Sequence, residues 1–189
     1  MPPLRRRKPD GMVHSSPNHV QGMAALCLMS RAAFAAILLP WFLIGGLTKV
    51  GGLSMSMGPT VDGLPLSLGA YFAYAPERIG SLDAGLPDFD GPTQVLVGLM
   101  VLLELALPVL IVIGLLTRPA VILLALHQTV FFLRSTSTDD FGALFDASPF
   151  DMVPDQLLLW VMLIAPLALF GAGPLSVDHA AARWKARQR

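Results

Sequence analysis

The chain is short of charge and almost without cysteine. Asp, Glu, Lys and Arg make up 14% of its 189 residues, against roughly 25% in an average soluble domain. That deficit excludes a disordered chain and a charge-rich coiled coil. Thirteen basic residues balance thirteen acidic ones. No bulk positive charge is left for nucleic acid, which is not expected as a partner. Cys27 is the single cysteine, so an intrachain disulfide, a CxxC dithiol and a zinc knuckle are excluded. P-loop, GxSxG, HExxH and GxGxxG contexts are missing, and the aspartates lack calcium-loop spacing. There is no haem, flavin or iron–sulfur ligand set either, so no intrinsic cofactor is expected.

What is abundant is apolar surface. Hydrophobic residues are 54% of the chain and the mean hydropathy is +0.63. These values predict one all-α membrane domain. Residues 1–22, with Arg5, Arg6, Arg7 and Lys8 in a row, read as a disordered cytoplasmic arm whose basic run marks topology. No small-x-small cleavage site follows the first apolar run, so that run reads as a retained helix. Four spans are expected, at about 32–48, 95–116, 119–133 and 152–170. The second, VLVGLMVLLELALPVLIVIGLL, carries one charge, Glu104. Residues 49–94 and 134–151 form two long loops, and 179–189 a basic tail.

Charge sets the orientation. Arg5, Arg6, Arg7, Lys8, Arg31, Arg118, Arg183, Lys185, Arg187 and Arg189 fall on one side of such a layout, ten of the 13 basic residues. The long loops on the other side hold most of the acidic ones. The positive-inside rule then gives N-in, C-in, a transmembrane four-helix up-down-up-down bundle in a bacterial inner membrane. The loop 49–94 has apolar patches at Leu64, Leu66, Leu68, Tyr71, Phe72 and Tyr74. It is expected on the membrane surface or as a cap over the bundle, with a short amphipathic helix.

Glu104 is the most informative residue. Its place in the second span puts it about 14 Å deep, where a carboxylate is costly unless paired, protonated or watered. His127 lies in the third span, across a tight hairpin from Glu104. The two are candidates for a proton-transfer pair, directly or through water. A structural acid and a structural histidine, each bonded to a neighbouring helix, are the alternatives. Gln128 adjoins His127 but points about 100° away on an ideal helix. Gln128, Arg118 and Lys49 complete the candidate substrate-binding set, although Arg118 and Lys49 also suit lipid-headgroup anchors. No metal site is expected. Met55 and Met57 are the one Cu(I) candidate, and two thioethers without a nearby Cys or His make an incomplete ligand set.

Several motifs together resemble the DoxX family of small four-helix membrane proteins. They are Arg31 at the start of the first span, Gly45-Gly46-Leu47-Thr48-Lys49, the acid Glu104, the hairpin Gly114-Leu115-Leu116-Thr117-Arg118-Pro119-Ala120, and the closing Gly171-Ala172-Gly173-Pro174-Leu175-Ser176-Val177-Asp178. The last is similar to the family's GxGxxSxD. The resemblance spans about residues 31–184, and the membrane domain is drawn at 23–178. The basic arm and the long acidic loops depart from a minimal member. The stretch from Phe145-Asp146 to Trp160 resembles a subgroup whose genes accompany peptide-modifying enzymes linked to copper stress. The family includes the membrane subunit of a thiosulfate:quinone oxidoreductase, but its pattern supplies no catalytic set.

The resemblance implies a quinone-linked redox subunit or accessory. Glu104 and His127 would handle protons and a protein partner would supply electrons. One alternative is a non-enzymatic membrane partner that docks or assembles a redox or metal-stress system through its outer loops. Another is a small transporter of a sulfur compound or metal, which a chain this short would accomplish only as a homo-oligomer.

Overall fold

The computed structural model describes residues 17–80, 85–135 and 152–188. The basic run Arg5–Lys8 and the acidic residues Asp139, Asp140 and Asp146 lie outside them. The described residues are helical, with two isolated antiparallel bridges, Val50 with Leu66 and Thr60 with Ser67.

Helix α1 (Pro17–Ala33) runs through a π turn at Phe34–Leu38 into α2 (Leu39–Leu47). Pro40 explains the π turn. It lacks the N–H that would bond the carbonyl of Ala36, so the ladder locally widens and the Leu39 N–H bonds the carbonyl of Phe34. The helix begins earlier than the expected span, and residues 17–22, expected in the arm, form its first turns. Arg31 therefore lies inside the helix instead of opening it.

Helix α4 (Gly91–Ile113) starts after Asp90 in extended conformation, with Pro92 in its first turn. It ends at Gly114, whose φ of +76° suits a residue without a Cβ. The N–H groups of Gly114 and Leu115 both bond back to the carbonyl of Leu110, which closes the last turn. Helix α5 (Thr117–Ser135) follows at once, so α4 and α5 are antiparallel neighbours. Helix α6 (Met152–Phe170) and a terminal α7 (Val177–Arg187) complete the chain.

The rod α1–α2 packs on α4 and α6, and α5 closes the ring between those two. Cys27, Phe34, Leu38, Phe42, Leu107, Ile111, Val121, Leu124, Ile164 and Leu167 make the shared core. The segment between α2 and α4 builds a second core over one end of this bundle. Helix α3 (Leu68–Tyr74) and a 3-10 turn at Pro76–Arg78 bring Tyr71, Tyr74, Ile79, Leu66 and Val61 onto Val97 and Val101 of α4. The buried face of α4 thus reads Val97, Val101, Glu104, Leu107, Ile111 at helical spacing. Glu104 falls at the seam between the two cores.

The outside of the bundle is apolar. Ile37, Trp41, Val95, Leu102, Leu126, Leu159, Met162 and Leu169 are exposed. Among the described residues two helices are long and apolar enough to cross a membrane, Gln21–Leu47 and Gly91–Ile113. Thr117–Phe132 and Leu159–Phe170 are shorter apolar helices. Only 22% and 33% of the most apolar stretches of the two long helices are buried inside the protein. The core helix of a soluble protein would hide most of such a stretch.

Candidate functional site

Glu104 is 7% exposed and has two partners. The Lys49 Nζ lies 2.7 Å from Oε1 and 2.8 Å from Oε2. The Tyr74 hydroxyl donates to Oε2 at 2.5 Å. Lys49 comes from the turn after α2, Tyr74 from the end of α3 and Glu104 from α4. Burial, and then the Glu104 carboxylate, push the Tyr74 phenol far above its ordinary range. It therefore stays protonated and donates. Lys49 lies 5.5 Å from the centroid of the Tyr74 ring, a weak cation–π contact.

Lys49 thus turns its ammonium inward to Glu104. Glu104 lies beside the last turn of α2, where a Cβ on Gly45 would come within 3.2 Å of Oε1. Earlier along α4, Val97 and Val101 are buried in the core of the cap.

His127 is buried on α5, on the far side of Tyr74, with ring centroids 5.6 Å apart. Its Nε2 lies 3.2 Å from the carbonyl of Met100 and its Nδ1 3.2 Å from the amide Nε2 of Gln128. A carbonyl only accepts and an amide nitrogen only donates, so these partners assign the neutral Nε2–H tautomer. The hydrogen bonds of Glu104 thus go to Lys49 and Tyr74, and Tyr74 also packs its ring edge-on against His127. Gln128 and His127 meet after all, because the amide folds back along the helix.

Two openings flank the cluster. A groove of about 520 Å³ lies over Lys49, walled by Gly45, Thr48, Met57, Leu68, Phe72 and Ala73. A smaller slot of about 80 Å³ between α4 and α5 is lined by Tyr74, His127, Leu96, Met100, Val130 and Phe131. Met57 borders the groove and Met55 is exposed in the same loop. Among the described residues no three His, Cys, Asp or Glu side chains cluster as metal ligands.

At the opposite end of the bundle, Arg31, the α4–α5 turn and the stretch Gly171–Asp178 converge. The Arg31 guanidinium donates to the carbonyls of Ala172, at 3.0 Å, and Leu175. Arg31 is buried among these groups. Asp178 accepts from the N–H groups of Leu116 and Thr117 at 2.9 and 3.0 Å, and from the Thr117 hydroxyl at 3.2 Å. Its partial burial alone would raise its pKa, but these bonds outweigh that and hold the carboxyl below its ordinary value. Leu116 is held here at a φ of +50°, uncommon for a residue with a Cβ. At Gly114 a Cβ would meet that of Ser176 at 2.6 Å and Arg31 Nη1 at 2.9 Å. Arg118, exposed, donates to the carbonyl of Leu169 at 3.0 Å. The Arg31, Gly114–Ala120 and Gly171–Asp178 motifs thus meet as a structural clasp, with Arg118 tying α5 to α6 beside them, and the Lys49–Glu104 motifs meet at the other end.

Tyr74 is the residue that sequence reasoning missed as a site member. A signal existed, since the two tyrosines of the chain fall three apart in one apolar stretch, which places both on one helix face. In comparisons with protein-family models, curated proteins and solved structures, none matches this chain.

Proposed function

We propose that the chain is a DoxX-like, multi-pass protein of the bacterial inner membrane, with four spans, N-in and C-in, that binds a quinone as substrate in the groove over Lys49. It serves as the quinone-linked subunit or accessory of a redox protein partner that supplies the electrons. The exposed apolar belt and the scant burial of the two long helices support the membrane reading. The observation that carries the substrate reading is Lys49 in an apolar-walled groove, backed by the buried Glu104 and Tyr74 behind it.

The groove suits a flat apolar ring that needs one hydrogen-bond donor at its carbonyl oxygen. All three N–H groups of Lys49 are engaged, two with Glu104 and one with the carbonyl of Gly45 at 3.1 Å. That carbonyl also accepts from the Thr48 hydroxyl at 2.7 Å. Lys49 can therefore turn one N–H to a quinone oxygen without orphaning a buried acceptor. Reduction of a quinone to a quinol takes two electrons, here from the partner, and two protons. Lys49 is the donor that lines the groove; it would hand protons to the reduced ring one at a time and recover each from water entering the open groove, while the Glu104 carboxylate, held by Tyr74, keeps the amine in its charged form.

A second reading has a specific observation behind it. Lys49 and Tyr74 belong to the cap and its root, and Glu104 to the bundle, so the cluster also serves as a lock for a cap that docks a partner. Met57→Trp separates the two. Met57 is 66% exposed and borders the groove, so the larger side chain fills it without touching the ion pair. The quinone reading expects loss of saturable binding of a soluble quinone analogue with an unchanged unfolding temperature. Undiminished binding refutes the groove as the site.

A further inference from the structure

Helix α7 buries none of its side chains. Its sequence is nevertheless two-faced. Val177, Ala180, Ala181 and Trp184 recur at the i, i+3, i+4, i+7 spacing of one helix stripe. On an ideal helix Lys185 and Arg187 fall on the two borders of that stripe, and Arg183 lies beyond Arg187. Trp184 is 62% exposed, and Leu175, just before the helix, 68%. The Ser176 hydroxyl caps the helix through the N–H of His179 at 3.1 Å.

The position of α7 is fixed at its first turn. The N–H of Asp178 donates to the carbonyl of Gly114 at 3.0 Å, and its carboxylate takes the three bonds from Leu116 and Thr117. That staple holds α7 beside the α4–α5 turn, with exposed Leu116 bonded to it and exposed Phe170 on the same opening as Asp178, His179 and Ala182. Asp178, the one acidic residue of the helix, is consumed by the staple. Three basic side chains remain on its open surface.

We propose that α7 lies in the headgroup layer of the inner leaflet and binds anionic phospholipid. Val177 and Trp184 enter the acyl boundary, and Arg183, Lys185 and Arg187 meet the phosphates. This rests on the membrane reading above and not on the quinone reading. Charge complementarity selects the occupant, since a zwitterionic surface offers three cations no net attraction.

The test is amide hydrogen exchange on the full chain in lipid discs of phosphatidylcholine alone and of phosphatidylcholine with phosphatidylglycerol. Exchange over 177–187 is expected to slow about a hundred-fold in the anionic discs, taking three basic residues at the usual worth of each near such a surface. The triple variant Arg183→Gln, Lys185→Gln, Arg187→Gln should lose that slowing, and high salt should weaken it in the wild type. Equal exchange in both lipids overturns the proposal. So does a triple variant that behaves as wild type, or protection that appears only with an added acidic protein. An alkaline carbonate wash of the cell membranes separates the two claims. If the wash releases the protein, the membrane reading fails. If the protein stays and lipid charge has no effect, only the α7 proposal fails.

Discussion

Breaking the Lys49–Glu104 pair from one side should cost far more than removing both charges. The two side chains are 13% and 9% exposed, so little water screens either one. Glu104→Gln keeps the shape but leaves an ammonium facing an amide and two carbonyl-type oxygens. Loss of one partner of a buried pair costs about 3–5 kcal/mol, and residual solvent access to Lys49 argues for the lower end, about 3 kcal/mol. For a chain of this size that is a fall of about 6–12 °C in unfolding temperature. Lys49→Met alone strands the carboxylate with the Tyr74 hydroxyl and should cost a similar amount. The double variant leaves no unpaired charge and should return to within about 1 kcal/mol of wild type. A double-mutant cycle on thermal unfolding in lipid discs then reads a coupling of at least about 3 kcal/mol. If the two costs simply add, or each stays below about 0.5 kcal/mol, the pair is not the seam-holding contact described here.

Gly45→Ala should mimic a mild form of the same damage. Its methyl would press on Glu104 Oε1 from 3.2 Å, and an expected loss of about 1 kcal/mol is readable as a lowered unfolding temperature. Asp178→Ala removes three hydrogen bonds at the start of α5 and should destabilise the fold by about 1 kcal/mol at pH 7. Its carboxyl is held below the ordinary value, so its contribution is present above about pH 4 and is lost as pH falls through the folded value. Melting wild type and variant at pH 7 and pH 3 should therefore show a gap that narrows in acid, and a constant gap contradicts this. Topology is open to labelling. A cysteine at Asp88 should react with an impermeant reagent from outside the cell, and one at Arg187 should not.

The helices were legible because their signals are local. Gly171 follows the end of Met152–Phe170 as expected, and the span expected at 95–116 is a helix that opens four residues earlier, at Gly91, and closes at Gly114. The start of the first helix was not legible, because a chain reading takes Arg31 in an apolar run as a boundary. The structure instead spends its guanidinium on carbonyls 141 and 144 residues away. Glu104 stood out as the only charge in its span. Its partners did not, since Lys49 lies 55 residues away and Tyr74 30. Helix geometry puts Glu104 and His127 on adjoining helices, but it carries no information about a cap whose tyrosine bonds the one and packs on the other. Nor does the sequence tell which apolar residues of α4 lie under the cap, because apolar residues buried under a loop and apolar residues facing outward look alike in sequence.

The central claim is that the groove over Lys49 binds a quinone through that lysine, backed by Glu104. The most direct measurement is titration of a soluble quinone analogue into the full chain in native-lipid discs, beside the Lys49→Met, Glu104→Gln double variant that keeps the fold. The account predicts saturable binding to wild type and its loss in the double variant, with the unfolding temperature within about 4 °C of wild type. No saturable binding to folded wild type, or equal binding to both, would contradict it and leave the cluster as a lock between cap and bundle.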